Sequence, residues 1–350
     1  MKNLKEIIVD DQISLYDEIK SQIGERLYSY GFNDYDILER YNESHRYYHT
    51  IDHIINMIYY TKKLDSDINL FLAIVFHDII YDPKRNDNEE RSVEYFKKEM
   101  IGSKFYDEES VHFNTNFDAD LICKMIMDTK NHEDTTGHSQ PLIDADLEIF
   151  KGDFKELLET EEQIFKEYQF VDWNEYKKKR IQVLTELDEL VNSEERNENI
   201  EDLIEYIENE KPNIGVYCGS FYPFHKGHLN ILEKAEKIFD KVIIGYGDNP
   251  SKNYDIERKV PSQLYYHQVE FYGNDMIKFL EKLGYEVTLI RGLRSSTDFQ
   301  SELNLYRWLQ EFKPDVKVIY IFCDSKYEHI SSSDIRNIIK MGRDSKFILK

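Results

Sequence analysis

Apolar residues recur every three or four positions through most of residues 1–208, the spacing that places them on one face of an α-helix. The charge-rich residues 192–213 close this stretch at Pro212, and we interpret them as a polar helix that serves as a linker. The helices predicted before the linker span Ile13–Tyr30, Ile51–Leu64, Leu70–Ile80, Ser92–Met100, Leu121–Met127, Lys151–Tyr168 and Tyr176–Val191.

After Pro212, short β-branched runs alternate with helical patterns, which predicts a parallel sheet covered by helices on both faces. The predicted strands are 214–221, 241–247, 286–292 and 316–323, and the predicted helices are His228–Phe239, Gln268–Leu283, Asp298–Phe312 and Ser332–Lys340. We therefore predict two domains: an all-α domain over residues 1–208 and an α/β, Rossmann-like parallel-sheet domain over residues 209–350.

Composition narrows the class of protein. Hydrophobic residues make up 41% of the 350 and aromatic residues 14%, enough for two real cores. A formal net charge of −23 argues against a general nucleic-acid or anionic-membrane binder, because phosphate surfaces attract clustered Lys and Arg. Three scattered cysteines fit a reducing compartment, and the charged first residues lack the apolar segment of a signal peptide. We expect a cytoplasmic protein, without a membrane or nucleic-acid partner, that forms a homo-oligomer.

Candidate phosphate-binding residues fall at the ends of the predicted strands. The first strand runs into GSFYPFHKGH (219–228), where a glycine turn leads to a helix N-terminus and the imidazoles of His225 and His228 can donate to a triphosphate. NPSK (249–252) follows the second strand, RGLR (291–294) follows the third, and ISSS (330–333) opens the last helix. Cations thus gather at one edge of an acidic protein, where parallel sheets bind ligands.

Residues 214–341 resemble the nucleotidyltransferase superfamily, and within it phosphopantetheine adenylyltransferase, on the GSF-x-P-x-x-x-GH, PSK, RGLR-x-x-x-DF and ISSS strings. The resemblance implies transfer of AMP from Mg²⁺-ATP to a phosphorylated acceptor similar to 4′-phosphopantetheine, giving dephospho-coenzyme A and pyrophosphate. It implies that His228 and Arg294, with His225 and Lys252, are the catalytic groups. The implied nucleotide contacts are Ser220, Phe221, His225, His228, Arg294, Ser331, Ser332, Ser333 and Arg336, and the implied acceptor contacts are Ser220, Lys252 and Arg291.

Some residues depart from that family. Tyr222 stands where it usually has Asp, His225 where it usually has Thr, and Leu309 where an acceptor-contacting Asn is common. Histidine at the position of His225 is common in nicotinamide mononucleotide adenylyltransferases and in cytidylyltransferases, so both remain as alternative activities.

A second set of chemistry-bearing residues lies in the helical half. His77 and Asp78 interrupt the apolar run LFLAIVFHDIIYD (70–82), where burial is costly unless the two groups are paired or bind a metal. His49 and His53 are four residues apart and are expected on one helix face. With Asp144 or Asp146 downstream, these residues offer the mixed nitrogen and oxygen ligands of a hydrolytic divalent metal.

This half resembles the HD superfamily of metal-dependent phosphohydrolases on four strings, R-x-YH-x-x-x-HI, FHD-x-x-YD, DNEE-x-S and DADL. The resemblance implies that His49, His77, Asp78 and Asp146, or Asp144 in its place, bind Mn²⁺, Mg²⁺, Fe²⁺ or another divalent ion. Arg46 is expected to orient the substrate. His132 and His138 are expected to lie in a solvated loop, with binding of a second metal or a substrate phosphate as the alternative role. The chain is then a bifunctional enzyme, unless the helical domain only senses nucleotides without turnover.

Overall fold

The computed structural model describes residues 13–61, 67–102, 117–190, 194–249, 258–342 and 346–349. The chain divides into two compact units. The first unit consists of the chain up to Glu167 together with Lys177–Glu208, and the second consists of Tyr168–Tyr176 together with the chain from Asn209 onwards. Within the described ranges, no helix combines the length and the hydrophobicity that crossing a bilayer requires.

The described part of the first unit is helical, in agreement with the prediction from apolar spacing. Its central helix, α4, buries every residue from Leu70 to Phe76, as expected of a helix that is apolar all round. Asp67 caps this helix by accepting hydrogen bonds from two backbone N–H groups of the first turn. The helices up to Asn209 are α1 (Ile13–Ser29), α2 (Asp34–Arg40), α3 (Ile51–Thr61), α4 (Ile68–Phe76), α5 (Asn88–Gly102), α6 (Ala119–Asp128), α7 (Gln140–Asp146), α8 (Phe154–Glu167), α9 (Trp173–Leu190) and α10 (Glu194–Asn209). The first turn of α9, up to Tyr176, belongs to the second unit.

One predicted helix boundary and one predicted helix face are wrong, and both concern the histidines. Helix α4 ends at Phe76 instead of continuing to Ile80, because the Ile74 carbonyl accepts from His77 Nδ1 at 2.8 Å and the Ile80 N–H donates to the Ser92 hydroxyl at 3.1 Å. The carbonyls of Asp78 and Ile79 then accept from the Arg46 guanidinium. Helix α3 begins at Ile51, as predicted, so His49 precedes it. The expectation that His49 and His53 share one helix face is therefore wrong.

Helix α10 is more than the polar linker that its composition predicts. Ile200, Leu203 and Ile207 are buried in a core shared with apolar residues of α7, α8 and α9. The helix belongs to the first unit up to Glu208. Three apolar residues on one face are sufficient to dock a helix whose other faces are acidic.

The second unit contains a parallel sheet with strand order β3-β2-β1-β4-β5. This confirms the prediction of an α/β domain with a parallel sheet. Since the strand order reverses on either side of β1, the carboxyl ends of β1 and β4 border the crevice where such sheets bind ligands. The strands are β1 (Ile214–Gly219), β2 (Lys241–Gly247), β3 (Val269–Tyr272), β4 (Thr288–Leu293) and β5 (Lys317–Phe322), and the helices are α11 (Lys226–Ala235), α12 (Met276–Lys282), α13 (Ser296–Phe312) and α14 (Ser332–Lys340).

One strand and one connection of this unit were not predicted. Residues expected to begin a helix at Gln268 form β3, which pairs with β2, and helix α12 follows only afterwards. The Tyr168–Tyr176 segment also belongs to this unit. The Gln169 carbonyl accepts hydrogen bonds from the backbone of Gln268, at 3.1 Å, and from the ammonium of Lys241.

Candidate active sites

Three ligand-type side chains converge in the first unit. His53 on α3, His77 at the end of α4 and Asp146 at the end of α7 place their ligand atoms within 4.8 Å of one another. Asp78 and His49 lie alongside: Asp78 Oδ2 is 3.1 Å from His77 Nε2 and 4.0 Å from His49 Nε2. We refer to His49, His53, His77, Asp78 and Asp146 as the His-Asp cluster.

The donor atoms of the cluster are arranged as they would be around a cation. The Nε2 atoms of His53 and His77 are buried and have no hydrogen-bond partner among the described residues. Each is close to a carboxylate, at 3.1 Å from Asp146 Oδ1 and 3.1 Å from Asp78 Oδ2, yet without the angles of a hydrogen bond. Imidazole and carboxylate are the ligands that divalent transition metals take in hydrolytic sites, so the residues present fit such an ion.

Glu167, at the end of α8, orients His49 and gave no signal in the sequence. One carboxylate oxygen accepts hydrogen bonds from the backbone N–H groups of Tyr47, Tyr48 and His49, at 2.7, 2.7 and 3.0 Å. The other accepts from His49 Nδ1 at 2.6 Å and from the Tyr81 hydroxyl at 2.7 Å. Because Nδ1 of His49 carries the proton, its Nε2 presents the lone pair to the cluster, an arrangement typical of metal-binding histidines.

The electrostatics of the cluster favour positive charge. Burial alone lowers the pKa of His77, but Asp78 and Asp146 outweigh it and raise this pKa to about 9. Burial opposes the ionisation of Asp146, yet the neighbouring imidazoles hold its pKa well below the usual value. Burial also opposes the ionisation of Glu167, whose pKa is nevertheless lowered to about 2, first by His49. A position that attracts protons this strongly also attracts a metal cation.

The structure separates the two candidate aspartates of α7. Asp146 joins the cluster, whereas Asp144 is exposed and accepts a hydrogen bond from the Gln140 amide at 3.1 Å. Residues two apart on a helix point in nearly opposite directions, so both cannot face the same point. Of the two loop histidines, His132 reaches within 3.4 Å of Asp146 Oδ2 from a backbone with φ of 52°, while His138 is exposed.

Arg46 does not have the role expected of it. Its side chain is fully enclosed, and the guanidinium donates to the carbonyls of His49, Asp78 and Ile79 at 3.1, 2.8 and 3.0 Å and to Glu43 at 3.0 Å. With four N–H groups used inside the protein, Arg46 holds the backbone segments that carry His49 and Asp78 rather than a substrate.

In the second unit, two histidines cap helix α11. His225 Nδ1 accepts hydrogen bonds from the backbone N–H groups of Gly227 and His228 at 3.1 and 3.4 Å, and His228 Nδ1 accepts from the N–H of His225 at 3.2 Å. Both Nδ1 atoms are therefore acceptors, and each neutral ring carries its proton on Nε2 as a hydrogen-bond donor. The rings stack with centroids 3.6 Å apart.

These histidines line a cavity of about 300 Å³ at the carboxyl ends of β1 and β4, where the switch in strand order predicts a ligand. The residues that the sequence places here and the structure brings together are Ser220, His225, His228, Arg294, Ser331, Ser332 and Ser333. The N-terminus of α14 also opens on this cavity, so unpaired N–H groups and the positive end of the helix dipole add to the imidazole donors.

Arg294 and His225 are donors in the wall of this cavity, which also carries the carboxylates of Asp298 and Glu302. Asp298 orients the Arg294 guanidinium through two hydrogen bonds of 2.9 and 3.0 Å, and the Arg294 side chain is 40% exposed. Burial lowers the pKa of His225, and Arg294 acts in the same direction, so that this pKa falls to about 4. His225 is therefore neutral at physiological pH and acts as a hydrogen-bond donor rather than as a charge.

The remaining predicted residues are more constrained. Arg291 is partly buried in a bidentate pair with Glu302, at 2.7 and 2.6 Å, and also donates to the Cys218 carbonyl, which uses three of its five N–H groups. Arg336 donates to the carbonyl of Tyr222 and to Ser333, so it braces the turn before α11. Phe221 is 2% exposed and supports His228 edge-on, instead of presenting its ring to the cavity.

The hydroxyls of the serine triplet are engaged within the protein. Ser331 caps α14 by accepting from the N–H of Asp334 at 3.0 Å, Ser332 donates to the Pro223 carbonyl at 3.1 Å, and Ser333 accepts from Arg336 at 2.9 Å. Lys252 lies outside the described residues.

The parallel sheet and the histidine-capped helix beside a cavity lined with hydrogen-bond donors are features expected of a nucleotidyltransferase domain. In agreement, residues 216–338 match the family described as cytidylyltransferase-like.

Three curated relatives sharpen this assignment. The C-terminal part of the chain is similar to phosphopantetheine adenylyltransferases from Clostridium tetani (30% identity over 138 residues, 37% of this chain and 86% of the relative), Streptococcus pneumoniae (31% over 140 residues, 37% and 86%) and Streptococcus pyogenes serotype M5 (34% over 134 residues, 36% and 82%). Through this part, the chain belongs to the nucleotidyltransferase family of the phosphopantetheine adenylyltransferases.

Proposed function

We propose that the second unit transfers AMP from Mg²⁺-ATP to 4′-phosphopantetheine, giving dephospho-coenzyme A and pyrophosphate. The observation that carries the proposal is the mutual capping of His225 and His228, which puts the proton of both rings on Nε2 beside Arg294. The names of the relatives supply the acceptor.

In this reaction an oxygen of the acceptor's phosphate forms a bond to the α-phosphorus of ATP, and the bond to the bridging oxygen breaks to release pyrophosphate. Two anions meet, so catalysis consists of positioning and of charge neutralisation rather than of a covalent nucleophile. Arg294 and the imidazole N–H groups supply donors for the phosphate oxygens, and the N-terminus of α14 supplies further donors for the leaving pyrophosphate. Mg²⁺ bound to ATP contributes additional charge neutralisation.

The test is pyrophosphate release from Mg²⁺-ATP with 4′-phosphopantetheine or nicotinamide mononucleotide offered separately, with the products identified by mass. We expect dephospho-coenzyme A from the first acceptor. A dinucleotide formed from nicotinamide mononucleotide, with no product from 4′-phosphopantetheine, would make nicotinamide mononucleotide the acceptor. Pyrophosphate release that requires CTP would make CTP the donor. Both are the alternatives that His225 suggests.

We further propose that the first unit is an HD-type, metal-dependent phosphohydrolase. The His-Asp cluster supports this: His53, His77 and Asp146 place their ligand atoms within 4.8 Å of one another, with His49 and Asp78 beside them. The resemblance assigns His49, His77, Asp78 and Asp146 as the metal ligands, and the geometry adds His53 as a candidate. A divalent metal in such a set lowers the pKa of a bound water and polarises a phosphate ester. Glu167 fixes the orientation of His49, and the Ile74 carbonyl does the same for His77 by accepting from its Nδ1 at 2.8 Å.

Metal content and the metal-dependent hydrolysis of p-nitrophenyl phosphate test this second activity. We expect a His77→Ala, Asp78→Ala double variant to lose both the metal and the hydrolysis while pyrophosphate release persists. Metal binding without any hydrolysis across a panel of phosphate esters would instead favour a nucleotide-sensing domain.

A further inference from the structure

A cavity of about 560 Å³ adjoins the His-Asp cluster in the first unit, and nothing above assigns its ligand. His53 and Asp146 belong both to the cluster and to the cavity wall. Helices α1, α3 and α8 supply most of the remaining wall. A phosphate ester bound at the cluster would therefore place its organic group in this cavity, so the lining reports on the substrate.

The lining is acidic. Its carboxylates are Glu43, Asp52, Asp146, Glu156 and Glu159, and its cations are Lys20 and Arg46. Arg46 is enclosed and uses four of its N–H groups on protein acceptors, so it is not available to a second phosphate. Among the carboxylates of this wall, Glu156 is only 6% exposed.

The uncharged part of the lining offers hydrogen bonds and aromatic faces. Asn56, Thr160 and Gln163 present amide and hydroxyl groups, and Tyr48 and Tyr60 present rings. Tyr48 packs against His53 with centroids 4.9 Å apart, so an aromatic side chain stands directly beside the cluster. These residues can bind an uncharged organic group that donates and accepts hydrogen bonds. The carboxylates of the same cavity wall repel additional phosphates.

We propose that the substrates of the first unit are phosphomonoesters with an uncharged, hydrogen-bonding organic group, and that the acidic wall excludes di- and triphosphates. This inference rests on the proposed phosphohydrolase activity. It includes the acceptor proposed for the second unit, because 4′-phosphopantetheine carries one phosphate on a neutral, amide-rich chain.

The experiment compares phosphate release from AMP and ADP, which share one organic group and differ by one phosphate. The full-length, metal-loaded protein is used at matched free metal, and 4′-phosphopantetheine and p-nitrophenyl phosphate are assayed in parallel. We expect kcat/KM for AMP and for 4′-phosphopantetheine to exceed that for ADP by roughly tenfold or more.

Removing the negative charge of the wall should narrow this preference. In the Glu156→Gln, Glu159→Gln double variant we expect the ratio of kcat/KM for AMP to kcat/KM for ADP to fall several-fold. Glu162→Gln is the matched control, because Glu162 is an exposed carboxylate on the same helix and does not line the cavity. The single Glu159→Gln variant provides the same comparison at an exposed site, 3.2 Å from Lys155, if the buried Glu156 substitution prevents folding.

The outcomes separate the inference from the activity on which it rests. Hydrolysis of p-nitrophenyl phosphate with ADP as good a substrate as AMP would overturn the inference and leave the phosphohydrolase standing. A ratio that changes equally in Glu162→Gln would also overturn it, because the effect would then come from overall charge. Absence of hydrolysis of every ester by metal-loaded protein would overturn both.

Discussion

Imidazoles build both candidate sites, but the two units shift their pKa values in opposite directions. In the first unit, carboxylates outweigh burial and raise the pKa of His77 to about 9. In the second unit, burial and the charge of Arg294 lower the pKa of His225 to about 4. The same side chain therefore marks a cation site in one unit and an anion site in the other, and its neighbours decide which.

The two sites also differ in how their groups are oriented. The His-Asp cluster draws on residues between His49 and Asp146 and relies on buried contacts such as that between His49 and Glu167, which are 118 residues apart. The second site relies on turns at strand ends, where His225 and His228 fix each other over three residues. Long-range orientation makes the first site sensitive to residues far from it in sequence.

The largest effect is expected in the second unit. His228→Ala or Arg294→Ala should lower the rate of pyrophosphate release by about 10²–10³-fold with the fold preserved, because each removes a donor that neutralises charge on the reacting phosphates. Steady-state kinetics and circular dichroism check this. His267→Ala, which removes a histidine paired with Glu236 elsewhere in the unit, is the control. Unchanged turnover in both variants would remove the assignment.

In the first unit, Asp146→Asn and Asp144→Asn form a matched pair two residues apart on α7. We expect Asp146→Asn to weaken metal binding by more than about 100-fold, since it replaces a ligand, and Asp144→Asn to leave it unchanged, since that side chain is exposed. Metal content after dialysis and calorimetric titration give the answer. Equal losses in both variants would show that charge, rather than coordination, holds the ion.

Glu167→Gln tests orientation at a distance from the ion. The glutamine retains an acceptor for the three backbone N–H groups but presents an amide N–H₂ to His49, so the histidine loses its acceptor and we expect about 10–100-fold weaker metal affinity. Tyr81→Phe, which removes a different hydrogen bond to the same carboxylate, is the control. A purely structural role would lower the melting temperature of both variants alike and leave metal affinity unchanged in each.

The sequence predicts the general architecture because the spacing of apolar residues and the residue types of a segment are local properties. The helical first half, the parallel sheet and the positions of His225, His228 and Arg294 at strand ends all follow from short windows. Strand β3 was missed because its four residues read as the start of a helix, and only pairing with β2 makes them a strand.

The orientation of the site residues could not be predicted in the same way. Nothing near Glu167 in the sequence indicates that its carboxylate meets His49, and nothing near Glu302 indicates a bidentate pair with Arg291. Likewise, the sequence suggests that Arg46 contacts the substrate, yet its guanidinium donates to the carbonyls of Asp78 and Ile79, just after α4. Partners of this kind are set by tertiary packing, which a single sequence does not reveal.

The smallest effect concerns a buried charge in the second unit. Lys241 is 1% exposed and donates to the Gln169 carbonyl, and burial lowers its pKa to about 7 although Asp172 opposes the shift. Between about pH 7 and the unfolded pKa of 10.5, the unfolded chain binds more protons than the folded one, so the free energy of unfolding rises with pH, by up to about 1.4 kcal/mol per pH unit. Below pH 7 the cost of burying the charge is fully present.

Lys241→Met should abolish this rise in the free energy of unfolding with pH, while the Gln169 carbonyl keeps its hydrogen bond from Gln268. Urea unfolding between pH 7 and pH 9.5 measures the effect, and tryptophan fluorescence reports on the correct unit, because both tryptophans, Trp173 and Trp308, belong to the second one. Lys278→Met, at a side chain 82% exposed, is the control and should keep the wild-type slope. Parallel slopes in all three proteins would mean that Lys241 keeps its charge in the folded state. Burial in the second unit would then be compensated as completely as it is in the His-Asp cluster, and the contrast between the two units would rest on their histidines alone.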